Sequence, residues 1–318
     1  MTVLVTGGAG FIGSHLVQRL VTDGYHVRVL DNLSNGFQTN LDRIDGDFEF
    51  IQGDLRNEDD VRLAVAGVDL VFHEGALGSV PRSIADPRTS FDVNVTGTLN
   101  LLVAARDAGV RRVVYASSSS VYGDTTVSPK HEGLTPNPLS PYAISKLSAE
   151  QLCGVFTRVY GLETVALRYF NVFGPHQNPI SQYAAVIPKF LTAIASGERP
   201  IVFGDGEQSR AFTYVDNVVN GNLLAGEAPA AVGKVINLAA DTAVTINSML
   251  RRMGELLGID PNPRHEPPRV GDIRDSLADL TCARELLGFE LTVPFEEGIA
   301  RTVAAFQATH RDVLTAVR

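Results

Sequence analysis

Tyr142 and Lys146 stand four residues apart in SPYAISKLSAE, a stretch that follows a proline and reads as a helix. That spacing puts a phenol and an ammonium on one helix face. A free tyrosine has a pKa of about 10, so little of it is phenolate near neutrality. A general base works best when its pKa lies near the operating pH. A nearby ammonium favours the ionised phenol, so Lys146 is expected to pull Tyr142 toward that range. Taken alone, the pair also fits a solvated helix face. Its weight comes from the preceding run YASSSSVYGD, which puts Ser117 to Ser120 at the end of a β-branched strand. Serines at a strand end either open a turn or line a site, since open α/β sheets bind ligands at the carboxyl ends of their strands. A phenol, an ammonium and a hydroxyl together suit removal of a proton from an alcohol.

The partner for that proton chemistry is written at the start of the chain. VLVTGGAGFIGSHL supplies Gly7, Gly10 and Gly13 between a first strand and a first helix, the context that gives a glycine pattern meaning. Gly7 permits the tight turn, Gly10 lets backbone approach a pyrophosphate, and Gly13 lets helix pack on strand. The helix N-terminus, at Phe11 and Ile12, attracts the anion. Asp31 ends the second strand, where a carboxylate accepts from the adenosine ribose hydroxyls and repels a 2′-phosphate. NAD is therefore expected rather than NADP. Asn32, Ser34, Asn35 and Gly36 form a polar turn suited to the ribose. Asp54 and Leu55 end the third strand, either beside an adenine or in a simple surface turn. Ala76 and Phe170 complete the cofactor-binding set, with Tyr142 and with Lys146, which also holds the nicotinamide ribose. The nicotinamide supplies redox chemistry, and the protein supplies position and electrostatics.

Short β-rich runs at 2–6, 26–31, 48–52, 69–73, 111–117 and 163–169 alternate with helical patterns. The clearest helix is 90–106, where Phe91, Val95, Leu99 and Leu102 follow the helical period. Alternating β and α units imply a parallel sheet covered on both faces, and right-handed crossovers make it doubly wound. The expected architecture is α/β, a doubly wound parallel sheet (Rossmann) with a smaller, sequence-discontinuous substrate-binding domain. Residues 1–169 form the NAD-binding domain, with a returning segment about 211–239. Residues 170–210 and 240–318, where Pro and Gly thicken, form the substrate-binding part.

Composition narrows the classes. The chain has 318 residues, 44% of them apolar, and a net charge of −9. The charge disfavours nucleic acid or an anionic membrane as partner through bulk electrostatics. Cys153 and Cys282 provide neither a metal constellation nor a disulfide framework, and two thiols fit a reducing cytoplasm. No apolar run is long enough for a membrane span, and MTVLVTGG reads as a strand rather than a signal peptide.

TGGAGFIGSHL, SSSSVYGD, PYAISK, RYFNVFGP and GDGEQSRAFTYVDNVV occur in the order seen in the extended short-chain dehydrogenase/reductase superfamily, which the chain resembles over essentially its full length. More closely it is similar to the nucleotide-sugar 4-epimerases. EGALGSVPRSIADP, YAAVIPKF and GDIRDSLAD are most similar to the bacterial branch acting on UDP-N-acetylhexosamines. The resemblance implies that Ser118 is the catalytic serine, Tyr142 the base and Lys146 its partner. It implies that Ser119 and Ser120 face the sugar, that Ser79 reaches it, and that Asn171 contacts the diphosphate-sugar. It puts Tyr183 to Pro188, with Ala185 and Val186, around the uridine, and Phe203 on the uracil. Arg210 and Arg269 would neutralise the phosphates as fixed donor forks. Asp272 joins the substrate-binding set, and Ser276 gates the space near C2. Asn94 would sit behind the site as a hydrogen-bonder. One departure is Arg210-Ala211-Phe212, where the superfamily often has an acid in the middle.

Relatives that dehydrate the sugar carry an adjacent Asp-Glu pair after the catalytic hydroxyl, and decarboxylases usually carry a glutamate just before VYG. Ser119 and Ser120 occupy that region here. Without a further acid or base, oxidation followed by reduction is the simplest reaction. The expectation is NAD-dependent inversion at C4 of a UDP-hexose through a transient 4-keto sugar, UDP-GlcNAc/UDP-GalNAc first and UDP-Glc/UDP-Gal as well. No metal is expected. Alternatives are a UDP-glucuronate 4-epimerase, with Arg82 as candidate cation, a related dehydratase or decarboxylase, and an NAD-sensing regulator. By resemblance, the helix at 90–106 and the helix of Tyr142 would pair with their copies in a homodimer.

Overall fold

A computed structural model describes residues 1–177, 185–268 and 275–309. Seven strands form the main sheet: β1 (Thr2–Thr6), β2 (His26–Asp31), β3 (Glu49–Gln52), β4 (Leu70–His73), β5 (Arg112–Ser118), β6 (Glu163–Tyr169) and β7 (Val235–Leu238). Their spatial order is β7-β6-β5-β4-β1-β2-β3, and every pairing is parallel. The chain winds one way from β1 to β3 and the other way from β4 to β7. The reversal lies between β1 and β4, where a doubly wound sheet opens a crevice.

Both faces of this sheet are covered, which explains why its strands are apolar runs rather than alternating ones. Val3, Leu4 and Val5 of β1 have no exposed surface. One core packs α1 (Phe11–Thr22) against the sheet through Leu16, Val17 and Leu20. On the other face α2 (Glu58–Val65), α3 (Gly97–Asp107) and α4 (Pro141–Tyr160) pack through Val61, Leu101, Leu102, Ala149, Cys153 and Phe156. A third cluster lies apart from these. It joins α5 (Val186–Ala195), α7 (Ile246–Leu257) and α8 (Phe295–Thr309) through Phe190, Met249, Met253 and Ile299. Between them, α6 (Val215–Glu227) leads back to β7 at the edge of the main sheet.

The expected helix over 90–106 is present, with its pitch widened in the middle. A short helix, Pro87–Phe91, runs into a widened π turn, Asp92–Thr96, before α3 begins. Such turns are frequent at functional sites, and this one aims Asn94 inward. Its side chain accepts from the Leu77 N–H at 2.8 Å and donates to Ser145 Oγ at 3.0 Å. The apolar stripe is split accordingly. Leu102 is buried, while Phe91 and Leu99 remain exposed.

Candidate functional site

The first loop meets the demands of a phosphate cradle. Gly7 has φ +69°, and a Cβ there would lie 2.7 Å from Gly75 Cα. At Gly13 a Cβ would lie 2.2 Å from the Gly7 carbonyl oxygen. Neither position tolerates a side chain without moving backbone. Gly10 caps α1 with no side-chain hydrogen bond, which leaves the first N–H groups of the helix open to an anion.

Beside this loop a cleft of about 90 Å³ is lined by Gly7, Gly10, Asp31, Asn32, Ser34, Asn35, Gly36, Asp54, Leu55, Glu74 and Ala76. Asp31 accepts from the backbone N–H groups of Ala9 at 3.0 Å and Leu33 at 2.8 Å. Burial pushes its pKa up, and those two N–H groups oppose the push. Asp54 is gripped by Arg56 through two nitrogens, at 2.9 and 2.6 Å, and by Asn32 at 2.8 Å. The Arg56 guanidinium is the largest cause holding its carboxyl below the usual range. Open helix N–H groups, a glycine cradle and a carboxylate at the end of β2 together fit a dinucleotide.

The adjoining chamber has a volume of about 570 Å³. Phe11, Ile12, Glu74, Ala76, Ser118, Ser119, Ser120, Lys130, Tyr142, Lys146, Asn171, Ala185, Arg210 and Ser276 are among its walls. Helix α4 delivers Tyr142 and Lys146. Ser140 caps it by accepting from the Ala143 N–H at 3.1 Å, Pro141 starts it, and Gly161 ends it in the left-handed region. Tyr142 is further fixed by its N–H, which donates to Ser83 Oγ at 3.0 Å. Lys146 Nζ donates to the Ala116 carbonyl at 2.7 Å and lies 5.1 Å from the centre of the Tyr115 ring.

The serine run divides into separate tasks. Ser117 points beneath the site and donates to Glu150 Oε2 at 2.7 Å. Glu150 in turn takes two nitrogens of Arg168, at 2.9 and 2.6 Å, and both partners are buried. Ser118 faces the chamber. Its hydroxyl lies against the Tyr142 phenol and accepts from Ser120, N–H at 3.2 Å and Oγ at 2.9 Å.

The electrostatics correct one expectation. Tyr142 is pushed up by burial, with Ser118 pulling it down and Glu74 pushing it up further. The expected downward pull from Lys146 is not among these causes. Lys146 is itself desolvated, which lowers it to about 8. Burial is thus the largest influence on both partners of the pair.

The remaining expected residues have varied settings. Ser79 caps the short helix Val80–Ala85, accepting from the Arg82 N–H at 3.2 Å. Arg82 lies on that helix, and neither residue lines the chamber. Phe170 has no exposed surface and packs at an angle on Tyr122. Val186 packs on the third core. Phe203 ends a short strand, Ile201–Phe203, paired with Arg264–Glu266. Tyr183, Arg269 and Asp272 lie outside the described residues. Arg210 Nη1 donates to the Ser209 carbonyl at 2.8 Å.

Glu74 and Lys130 line the chamber and do not emerge from the sequence. Glu74 follows β4, lines both cavities, and accepts from the Tyr169 hydroxyl at 2.7 Å. Tyr169 is held by Asn222, whose Nδ2 donates to it at 2.7 Å. Burial raises Glu74 to about 7. The strand-end rule that singles out the serines would flag it if applied to β4. Lys130, in a loop without periodic pattern, carries no comparable signal. Among the described residues no cluster of His, Cys, Asp and Glu could hold a metal ion, and no helix is long and apolar enough to cross a membrane.

The model of the NAD dependent epimerase/dehydratase family matches residues 3–239. A UDP-glucose 4-epimerase of Mycolicibacterium smegmatis is 40% identical over 311 residues, covering 96% of this chain and 99% of that one. A UDP-glucuronate 4-epimerase of Thermodesulfobacterium geofontis is 35% identical over 312 residues, covering 94% of each. Among solved structures, the UDP-N-acetylglucosamine 4-epimerase from Methanobrevibacter ruminantium, in complex with UDP-N-acetylmuramic acid, superposes with a TM-score of 0.91. Its identity is 40%, with 97% of this chain and 98% of that one covered.

Proposed function

We propose that this chain, which belongs to the NAD dependent epimerase/dehydratase family, is an isomerase that inverts C4 of a UDP-hexose, with UDP-GlcNAc and UDP-GalNAc as the pair it serves best. The observation that carries this reading is the convergence of Ser118, Tyr142 and Lys146 on one chamber in which Glu74 is the one carboxyl among the described walls. Glu74 is engaged by Tyr169, which leaves Tyr142 as the group that handles the substrate proton.

Gly7, Gly10, Phe11 and Ile12 would take the cofactor diphosphate, Asp31 and Asn32 the adenosine ribose, and Lys146 the nicotinamide ribose. Bound there, NAD supplies a reversible hydride acceptor and, when oxidised, a positive charge that favours the Tyr142 phenolate. Ser118 donates to the sugar hydroxyl and aligns it. Tyr142 takes the hydroxyl proton and later returns it. Asn171 and Arg210 hold the diphosphate while the sugar turns within the chamber, whose volume of about 570 Å³ leaves room for that rotation. Residues 1–169 and about 211–239 serve the cofactor, and the remainder the UDP-sugar.

The choice of sugar rests on Ser276. Its small side chain lines the chamber, so a C2 acetamido group has space. Such a pocket rejects smaller sugars poorly, so UDP-Glc and UDP-Gal should also turn over. Exposed apolar Phe91, Leu99, Ile144 and Val155, on the helices around α3 and on α4, support pairing with a second copy. The test is direct: incubate the purified chain, with no cofactor added, with UDP-GlcNAc, UDP-Glc and UDP-GlcA, and read products by proton NMR. Inversion in the acidic sugar alone would overturn the substrate choice. Loss of water or carbon dioxide would overturn the reaction class.

A further inference from the structure

Lys130 lies beyond the serine run, in the loop that follows Gly123. Its backbone is held from two sides. The N–H donates to the Leu277 carbonyl at 2.8 Å, and the carbonyl accepts from the Asp279 N–H at 2.8 Å and from Asn237 Nδ2 at 3.0 Å. It also bridges to Ala278, two residues after Ser276. The residue is 2% exposed, yet it lines the same chamber as Ser118, Tyr142 and Ser276.

Its ammonium is poorly provided for. It has three donors and one long acceptor, the Gly123 carbonyl at 3.4 Å. Among the described residues no carboxylate forms an ion pair with it. The charges that act on it are Arg210, which repels, and Asp124, which is exposed and bonded to Asn137. A methionine would fill the space without desolvating a charge. A buried charge left unpaired opposes folding, and such locally unfavourable features are tolerated where function needs them.

We propose that Lys130 is a specificity residue: its ammonium donates to a carbonyl-type oxygen, amide or carboxylate, carried by the sugar, in the space that Ser276 leaves open on the same wall. This rests on the reading of the chamber as a sugar pocket and names what the pocket selects. A plain hexose offers only hydroxyls there, an acetamido group an amide oxygen, and a uronate a carboxylate. Lys130 thereby takes the role for which the sequence nominated Arg82, which lies outside the chamber.

The test is calorimetric binding of UDP, UDP-Glc, UDP-GlcNAc and UDP-GlcA to the wild-type chain and to Lys130→Met. The variant should hold UDP and UDP-Glc within about threefold of wild type. It should lose about tenfold or more toward the sugar whose oxygen Lys130 reads, the scale of one charged hydrogen bond. A loss confined to UDP-GlcNAc identifies the amide, and one confined to UDP-GlcA the carboxylate. Parallel losses on all four ligands, or none on either substituted sugar, overturn the proposal. The melting temperature supplies a second reading. Lys130→Met should melt at or above wild type, because a desolvated charge is gone; a clear fall would make the lysine structural and overturn the proposal. Because binding is the readout, a wild-type chain that binds these sugars but inverts none of them counts against the epimerase reading and leaves the Lys130 result legible.

Discussion

Lys146 Nζ donates to the Ala116 carbonyl at 2.7 Å, which ties the helix carrying Tyr142 to the strand that ends in Ser117 and Ser118. The bond fixes the lysine at the floor of the chamber and commits one of its three donors to the fold. Its other donors are available to a ribose. Lys146→Met should therefore weaken both cofactor retention and turnover, while Lys146→Arg, too bulky for that floor, should not rescue either. Cofactor content of the purified variants, read by absorbance after denaturation, checks this.

Tyr142→Phe removes the hydroxyl and leaves the ring. Helix α4 keeps its Ser140 cap and the Ser83 contact to the backbone N–H at that position, so the fold should persist. Turnover should fall by about 10²–10⁴-fold, the usual contribution of a general base, with UDP affinity unchanged. Undiminished turnover would remove Tyr142 as the base.

Glu74 makes stability depend on pH. Its folded pKa of about 7 lies above the ordinary carboxylate value. Its contribution to stability is thus fully present below the unfolded pKa and is lost as pH rises from there through about 7. Glu74→Gln lacks this dependence. Relative to the variant, the wild-type chain should lose about 1–3 kcal/mol between pH 5 and pH 8. The difference between the two chains cancels the titration of buried His73, whose pKa is lowered by burial to about 3. Urea unfolding at the two pH values measures it; a constant difference contradicts the assignment.

Beneath the site, Glu150 joins Ser117 to Arg168. Removing one partner leaves a buried charge uncompensated. Glu150→Ala should cost about 3–5 kcal/mol, and Ser117→Ala far less. Denaturant midpoints of the two variants should separate accordingly.

Much of this is legible from residue types. The glycine loop, Asp31 and the pair on α4 sit where backbone geometry and helical spacing dictate. The helix over 90–106 is legible from its period, but its widened turn is not, because periodicity assumes a constant pitch; that turn lets Asn94 reach Leu77 and Ser145. The desolvation around the Tyr142 phenol is not legible from spacing, which reports only a neighbouring lysine. Glu74 is found only when the strand-end rule is carried to β4, and Lys130 escapes a linear reading because its importance arises only when the loop after Gly123 closes on the chamber.

The most direct measurement is proton NMR of the UDP-GlcNAc reaction in heavy water, with no cofactor added. If Tyr142 works alone on the hydroxyl proton, the product is inverted at C4 and carries no deuterium on any sugar carbon, because only oxygen-bound protons exchange. Deuterium at C3, C4 or C5 would show a second proton transfer, and would contradict the account.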